Sequence, residues 1–318
     1  MKKIILIPGL FLFAFSAFSQ YKWEYGTMSG AANYLGEIGG KEKTRRNFIL
    51  DMKLSQTRFA VGGFTRYKLN RDVYIRGSLS WIRISGADNL STNPGRVGRN
   101  LSFRNDLYEA SLVGQYIFYD VADLGRTYRY RNDFKAYAFT GVTGFYTNPK
   151  AQYEGSWVAL APLHTEGQGI ISDAPKPYGK YQVGIPAGAG FFFTFNKKYR
   201  IGWEFNWRTT FTDYLDDVST NYPKDPNVLS PLGQALSNRN PELSYSDNAS
   251  LPAKENYVYD PVTNPVAKRG DSKHNDSYLS TTINASYVIK GTSRFARTKY
   301  KTFFKGNKFK KRTIRAKF

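Results

Sequence analysis

The stretch YQVGIPAGAGFFFTFNKKYRIGWEFNWRTTFTDYLDDVSTNY, Tyr181 to Tyr222, decides how the rest of the chain is read. Its odd positions run Tyr181, Val183, Ile185, Ala187, Ala189, Phe191, Phe193, Phe195. Its even positions run Gln182, Gly184, Pro186, Gly188, Gly190, Phe192, Thr194, Asn196. After the polar break Asn196-Lys197-Lys198 the pattern resumes. Tyr199, Ile201, Trp203, Phe205, Trp207 and Phe211 alternate with Arg200, Gly202, Glu204, Asn206, Arg208 and Thr212. The period is two, which sends successive side chains to opposite faces of a strand. Soluble strands average about five or six residues, and each of these runs is far longer. One face is aliphatic and aromatic and needs an apolar medium. The other is small or charged and needs water or ion-pair partners. A transmembrane β-strand meets both demands. A long hairpin of a soluble sandwich or lipocalin-like barrel is the alternative.

Lys2 and Lys3, the apolar run Ile4 to Phe18, and the small-x-small sequence Ala17-Phe18-Ser19 read as a signal peptide over 1–19. The run is short for a membrane helix. The chain has no cysteine, so neither a lipoprotein signal, a disulfide nor a thiolate metal site is expected. No other stretch approaches the ~20 apolar residues of a helical span. A mean hydropathy of −0.51 is compatible with a barrel, whose lipid face takes every second residue. Aromatics make up 16% of the chain, which suits girdles at two membrane interfaces. Of the net charge of +21, two units come from Lys2 and Lys3 and eleven from the last 25 residues, leaving +8 for Gln20 to Ser293.

Read for alternation, the chain divides into eight strands: about Tyr21–Tyr34, Arg58–Leu69, Val73–Ser85, Arg104–Tyr119, Phe134–Asn148, Tyr181–Phe195, Tyr199–Phe211 and Tyr278–Lys290. The fifth has two mostly uncharged faces, so its orientation is ambiguous. Long connections follow strands one, three, five and seven, including Pro149–Lys180 and Asp216–Asn275. Shorter ones follow strands two, four and six. Short periplasmic turns and long external loops are the habit of outer-membrane barrels, and an even strand count places both termini in the periplasm. The expectation is an all-β, eight-stranded antiparallel transmembrane β-barrel over 20–293, integral to the outer membrane, with a basic periplasmic tail over 294–318.

An eight-stranded barrel is filled by its own side chains. Arg66, Arg76, Glu109, Glu204 and Arg208 on the polar face are therefore expected to serve one another as ion-pair partners in the lumen, because isolated buried charges are costly. A proton or ion path is the functional alternative. Catalysis has little support. The two histidines, His164 and His274, fall in external loops, and His164 near Ser156 or Ser172 is the one arrangement suggesting a lipid-modifying enzyme. No phosphate loop or paired-histidine metal motif occurs. No catalytic, cofactor-binding or metal residue is assigned, and no cofactor is expected. Asp213, Asp216 and Asp217 cluster where strand seven ends. Such density could hold a divalent cation, though it more often solvates a strand end. The tail interleaves eleven bases with Phe295, Tyr300, Phe303, Phe304 and Phe309. A signal peptide and barrel argue against nucleic acid, leaving an acidic protein surface or anionic headgroups as its contact.

Three stretches carry a family resemblance: Trp23 to Gly40, Ala136 to Ala151 and Ile185 to Pro223, the last containing FTDYLDDVS. They resemble the PorG-like outer-membrane barrels of Bacteroidetes, associated with type IX secretion and, in gliding species, with the gliding machinery. The resemblance implies a non-enzymatic component that ties a periplasmic ring, built of a PorK-like lipoprotein and PorN, to the outer membrane. It brings no ligand or catalytic residues. Charge placement marks Arg126, Arg129 and Arg131 in a periplasmic turn, with Lys308, Lys310, Lys311 and Arg312 in the tail, as the expected ring contacts. A general envelope-stabilising or small transport barrel is the alternative from a different class.

Overall fold

The computed structural model describes residues 22–39, 54–91, 93–126, 131–243 and 268–289. The expected signal peptide and basic tail, with Lys308, Lys310, Lys311 and Arg312, lie outside the described residues, as does Arg129. Among the described residues ten strands form: β1 (Trp23–Leu35), β2 (Arg58–Lys68), β3 (Val73–Ala87), β4 (Ser102–Val121), β5 (Asp133–Tyr146), β6 (Lys150–Tyr153), β7 (Ser156–Ala159), β8 (Tyr181–Phe195), β9 (Tyr199–Thr210) and β10 (Ser277–Ile289).

Eight of these strands pair antiparallel in an up-and-down circuit, β1-β2-β3-β4-β5-β8-β9-β10, and β10 returns to β1. The closing register runs from Trp23 opposite Ile289 to Leu35 opposite Ser277. The barrel therefore has no open edge, and its ladders satisfy one another. The hairpin β6–β7 extends β4 through the pairing of Arg104 with Lys150. Thus the segment Pro149–Lys180, expected as plain loop, carries strands of its own. Among the described residues two short α-helices also sit in the long connections, α1 (Pro94–Arg99) and α2 (Pro231–Ser237). Each has proline at its start, and Asn93 and Ser230 cap them.

The alternation of Tyr181–Phe211 holds in three dimensions. Tyr181, Val183, Ile185, Ile201 and Trp203 are exposed, while Phe192, Thr194, Glu204, Asn206 and Arg208 are buried. The same outward apolar face continues through Phe59, Ile75, Leu79, Leu112, Tyr116, Val142 and Ile283. So large a contiguous apolar belt is foreign to a water-soluble monomer and has the form of the lipid-facing band of a membrane barrel. Among the described residues no helix is long and apolar enough to cross a membrane. A register shift in β4 between Ile117 and Tyr119 lets Phe118 and Tyr119 both face outward, as an extra residue in one strand does.

The ambiguous fifth strand resolves against residue size. In β5, Tyr137, Phe139 and Phe145 point inward, and Ala138, Thr140 and Val142 point out. The reason lies next door on β8. A side chain added at Gly190 would stand 2.9 Å from the Tyr137 hydroxyl, and one at Gly188 would stand 2.7 Å from the Phe139 ring. The small residues of β8 make room for the large ones of β5.

The two ends of the barrel differ. The described residues of the connections 69–72, 122–126 with 131–132, and 196–198 gather at one end with the start of β1 and the finish of β10. There Lys68 N–H donates to the Lys22 carbonyl at 2.9 Å, and Lys197 N–H to that of Arg131 at 3.0 Å. At the other end, the chain leaving β9 turns back over the lumen. Leu215 and Val218 bury completely in a cluster with Ile82, Ile84, Phe103, Leu107, Phe145 and Tyr278, and Asn105 Nδ2 donates to the Leu215 carbonyl at 2.8 Å. This cap closes the lumen at the long-loop end.

Candidate functional site: a sealed lumen and its acidic rim

Among the described residues, three arginine–glutamate clusters fill the lumen. Arg76 and Glu204 meet through both ends of the fork, one contact at 2.9 Å, and the Tyr137 hydroxyl donates to Glu204 at 2.7 Å. Arg208 meets Glu109 at 2.7 Å and donates to Ser280 Oγ at 2.6 Å, while the Tyr278 hydroxyl donates to Glu109 at 2.6 Å. Arg66 takes neither acid of the expected set. It pairs with Glu24 at 2.7 Å, which also accepts from Arg200 and, at 2.6 Å, from Ser286. In these clusters four guanidinium groups meet three carboxylates. Aromatic faces supply the remaining negative potential: Arg66 and Arg200 lie over Phe192 at 5.1 and 4.4 Å, and Arg76 over Phe139 at 5.1 Å.

Sequence reasoning thus missed Glu24 and Arg200. A signal for both was present. Each is a single charge on the face opposite Trp23 and Tyr25, or Tyr199 and Ile201, in the same pattern that singled out Glu204. Chemically the arrangement is a plug, because every acid is locked to a guanidinium and these side chains are almost wholly buried. The marked turn residues Arg126 and Arg131 are exposed at the short-turn end, and neither forms an ion pair among the described residues. His164 lies in left-handed backbone (φ 51°). Its Nδ1 is buried without a hydrogen-bond partner, so no hydrogen bond joins it there to Ser156 or Ser172.

The cap carries a second charged system. Asp88 accepts from Arg99 at 2.7 and 2.9 Å. Arg269 meets Glu166 at 3.1 Å and Asp217 at 3.6 Å, and Asp217 also accepts from Thr165 and from Tyr178 at 2.5 and 2.6 Å. Both rim arginines are thereby engaged. Beside them stand four acids with no ion pair among the described residues: Glu37, Asp213, Asp216 and Asp276. One phenol joins two of them, since the Tyr34 oxygen lies 2.7 Å from Asp216 and 2.6 Å from Asp276. A hydroxyl has one proton to give, so both contacts are hydrogen bonds only if one carboxyl is protonated. Burial and the mutual repulsion of these acids hold Glu37 and Asp276 well above the usual carboxylate range. Burial raises Asp213 to about 8; the Ser219 side chain lies near enough to oppose this, and Asp216 adds to it. Gly36 is required at this point, because a side chain there would overlap the Tyr34 hydroxyl and the Asp276 carboxylate. Of the three acids the sequence singled out, Asp213 and Asp216 join this group and Asp217 faces Arg269 instead.

A family model described as a domain of unknown function, DUF6089, matches residues 2–233. The chain belongs to the DUF6089 family. No curated protein matches it. Among solved structures, the DUF6089 chain is similar to the N-terminal β-barrel domain of OprF from Pseudomonas aeruginosa, with 10% identity and a TM-score of 0.33, covering 85% of this chain and 100% of that one. It is also similar to Ail, the attachment invasion locus protein of Yersinia pestis, in complex with a heparin analogue (10%, 0.33, 84% and 98%), and to the outer membrane protein OprG of P. aeruginosa (8%, 0.33, 86% and 98%). The barrel assignment rests on the strand pairing of the DUF6089 chain itself, which closes without reference to these neighbours.

Proposed function

We propose that this DUF6089 protein is an integral outer-membrane barrel with both termini in the periplasm, acting as a non-enzymatic component of a type IX secretion apparatus and, in gliding hosts, of the gliding machinery. Its task is anchoring. Lipid holds the barrel, while the periplasmic turns and basic tail hold a ring of PorK-like lipoprotein and PorN. The observation that carries this is the stretch Ile185 to Pro223, with FTDYLDDVS, and its resemblance to PorG-like barrels. Two structural features support it. The lumen is plugged by ion pairs, which suits an anchor better than a conduit. The exposed Arg126 and Arg131 sit at the end where β1 starts and β10 finishes, available to an acidic partner.

The test is a mild-detergent pull-down of tagged protein, with and without 294–318 and with Arg126 and Arg131 changed to Glu. Ring proteins should co-purify with the full chain and fade when tail or turn is altered. Absence of ring proteins from the full-chain sample, in a deletion strain that secretes normally but leaks envelope contents, would overturn the secretion role in favour of a general envelope-stabilising barrel.

A further inference from the structure

We propose that Glu37, Asp213 and Asp276 bind one divalent cation of the calcium class under the cap at the long-loop end of the barrel. Each offers a carboxylate oxygen, and the three oxygens lie within 4.8 Å of one another. A calcium ion takes its ligands at about 2.4 Å, so three oxygens within that span can share one ion. Asp213 is the decisive group. It is 7% exposed, and neither of its oxygens has a hydrogen-bond partner of normal geometry. Glu37 Oε2 is buried and likewise lacks a partner of normal geometry, with the Asp276 carboxyl within reach of it. A buried carboxylate leaving both oxygens unmatched is costly unless it takes up a proton or a cation is supplied. The nearest rim arginines do not supply it, because Arg99 is held by Asp88 and Arg269 by Glu166 and Asp217.

The rest of the geometry orients ligands instead of neutralising them. Leu215 N–H donates to Asp276 Oδ2 at 2.9 Å, and the Tyr34 hydroxyl lies against Asp276 Oδ1. Asp276 is thus fixed in place, as groups around a metal ligand typically fix it. All donors are hard oxygens and none is nitrogen or sulfur, which selects calcium or magnesium over zinc or copper. Magnesium demands near-ideal octahedral geometry and is usually held by one or two carboxylates with several retained waters, so three protein carboxylates favour calcium. The three ligands come from the connection after β1, the exit of β9 and the residue before β10. A cation there would tie the cap to the barrel wall, whatever partner the protein serves.

The full chain, refolded in detergent free of lipopolysaccharide and stripped with chelator, is titrated with Ca²⁺ by calorimetry and with Tb³⁺ by luminescence excited through tyrosine. Tyr34 beside Asp276 makes the second signal local. One equivalent should bind, and Asp213→Asn or Glu37→Gln should weaken it at least tenfold. Asp173→Asn, an exposed acid paired with Lys224, should leave it unchanged. Gel mobility of unboiled samples checks that each variant is folded. Absence of binding to the wild-type chain at millimolar Ca²⁺, or equal binding by both rim variants, overturns the site. Should both variants fail to fold, wild-type unfolding in Ca²⁺ against chelator decides: a raised Tm is expected, and an unchanged one overturns the proposal.

Discussion

At the scale of single residues, the lumen shows why a charge can sit inside a barrel at all. Glu204 has two hydrogen bonds from Arg76 and one from Tyr137, so its lone pairs are matched. Breaking such a pair from one side is far more damaging than replacing both partners. Glu204→Gln, which leaves Arg76 buried without a counter-charge, is expected to cost about 3–5 kcal/mol. The double variant Arg76→Met with Glu204→Leu should recover most of that loss. Urea unfolding in lipid vesicles, followed by tryptophan fluorescence, measures both. Equal destabilisation by the single and double variants would show that the pair itself, and not the orphaned charge, carries the energy.

At the scale of elements, the cap formed by the chain leaving β9 couples packing to protonation. Asp217 is raised from 3.8 to about 6, chiefly by burial, with Glu166 adding to the shift and Arg269, Thr165 and Tyr178 opposing it. The folded cap therefore favours the protonated acid more than the unfolded chain does. That contribution is full below about pH 4 and is lost as pH rises through 6. Asp213 shifts in the same direction. In chelator, amide exchange over 211–222, corrected for the intrinsic rate, should show a more stable cap at pH 4.5 than at pH 7.5. Asp217→Asn should reduce that difference. Cap stability that rises with pH would contradict the assignment.

At the scale of the whole molecule, the outer belt predicts a depth-dependent penalty. Ile283 sits midway along β10 and Ile289 at its end, both facing outward. Ile283→Arg should cost about 2–4 kcal/mol in a bilayer and Ile289→Arg about 0–1, read from urea midpoints of vesicle-inserted protein. Equal effects at both depths would argue that the belt does not meet hydrocarbon. The belt was legible because lipid contact is a local requirement repeated at every second residue. The strands around Tyr181–Phe211 show it directly: three of their four observed ends coincide with expectation and the fourth departs by one residue.

The linear chain by itself determined the number of barrel strands, the faces of all but the fifth and the inequality of the two ends, since each follows from a period of two and from loop length. It also marked Asp213 and Asp216 as unusual. Only the tertiary structure decided which charges meet. Arg66 chose Glu24 over Glu109 or Glu204 because the β1–β2 register sets the two directly opposite, and closure of β10 on β1 brings Arg200 to the same carboxylate. Glu37 and Asp276 joined Asp213 because three connections converge under one cap. The aromatic face of β5 turned inward because β8 offers glycine there. Periodicity is a property of neighbours along the chain. Charge pairing and side-chain fit depend on neighbours across it, and these are fixed only when the barrel closes.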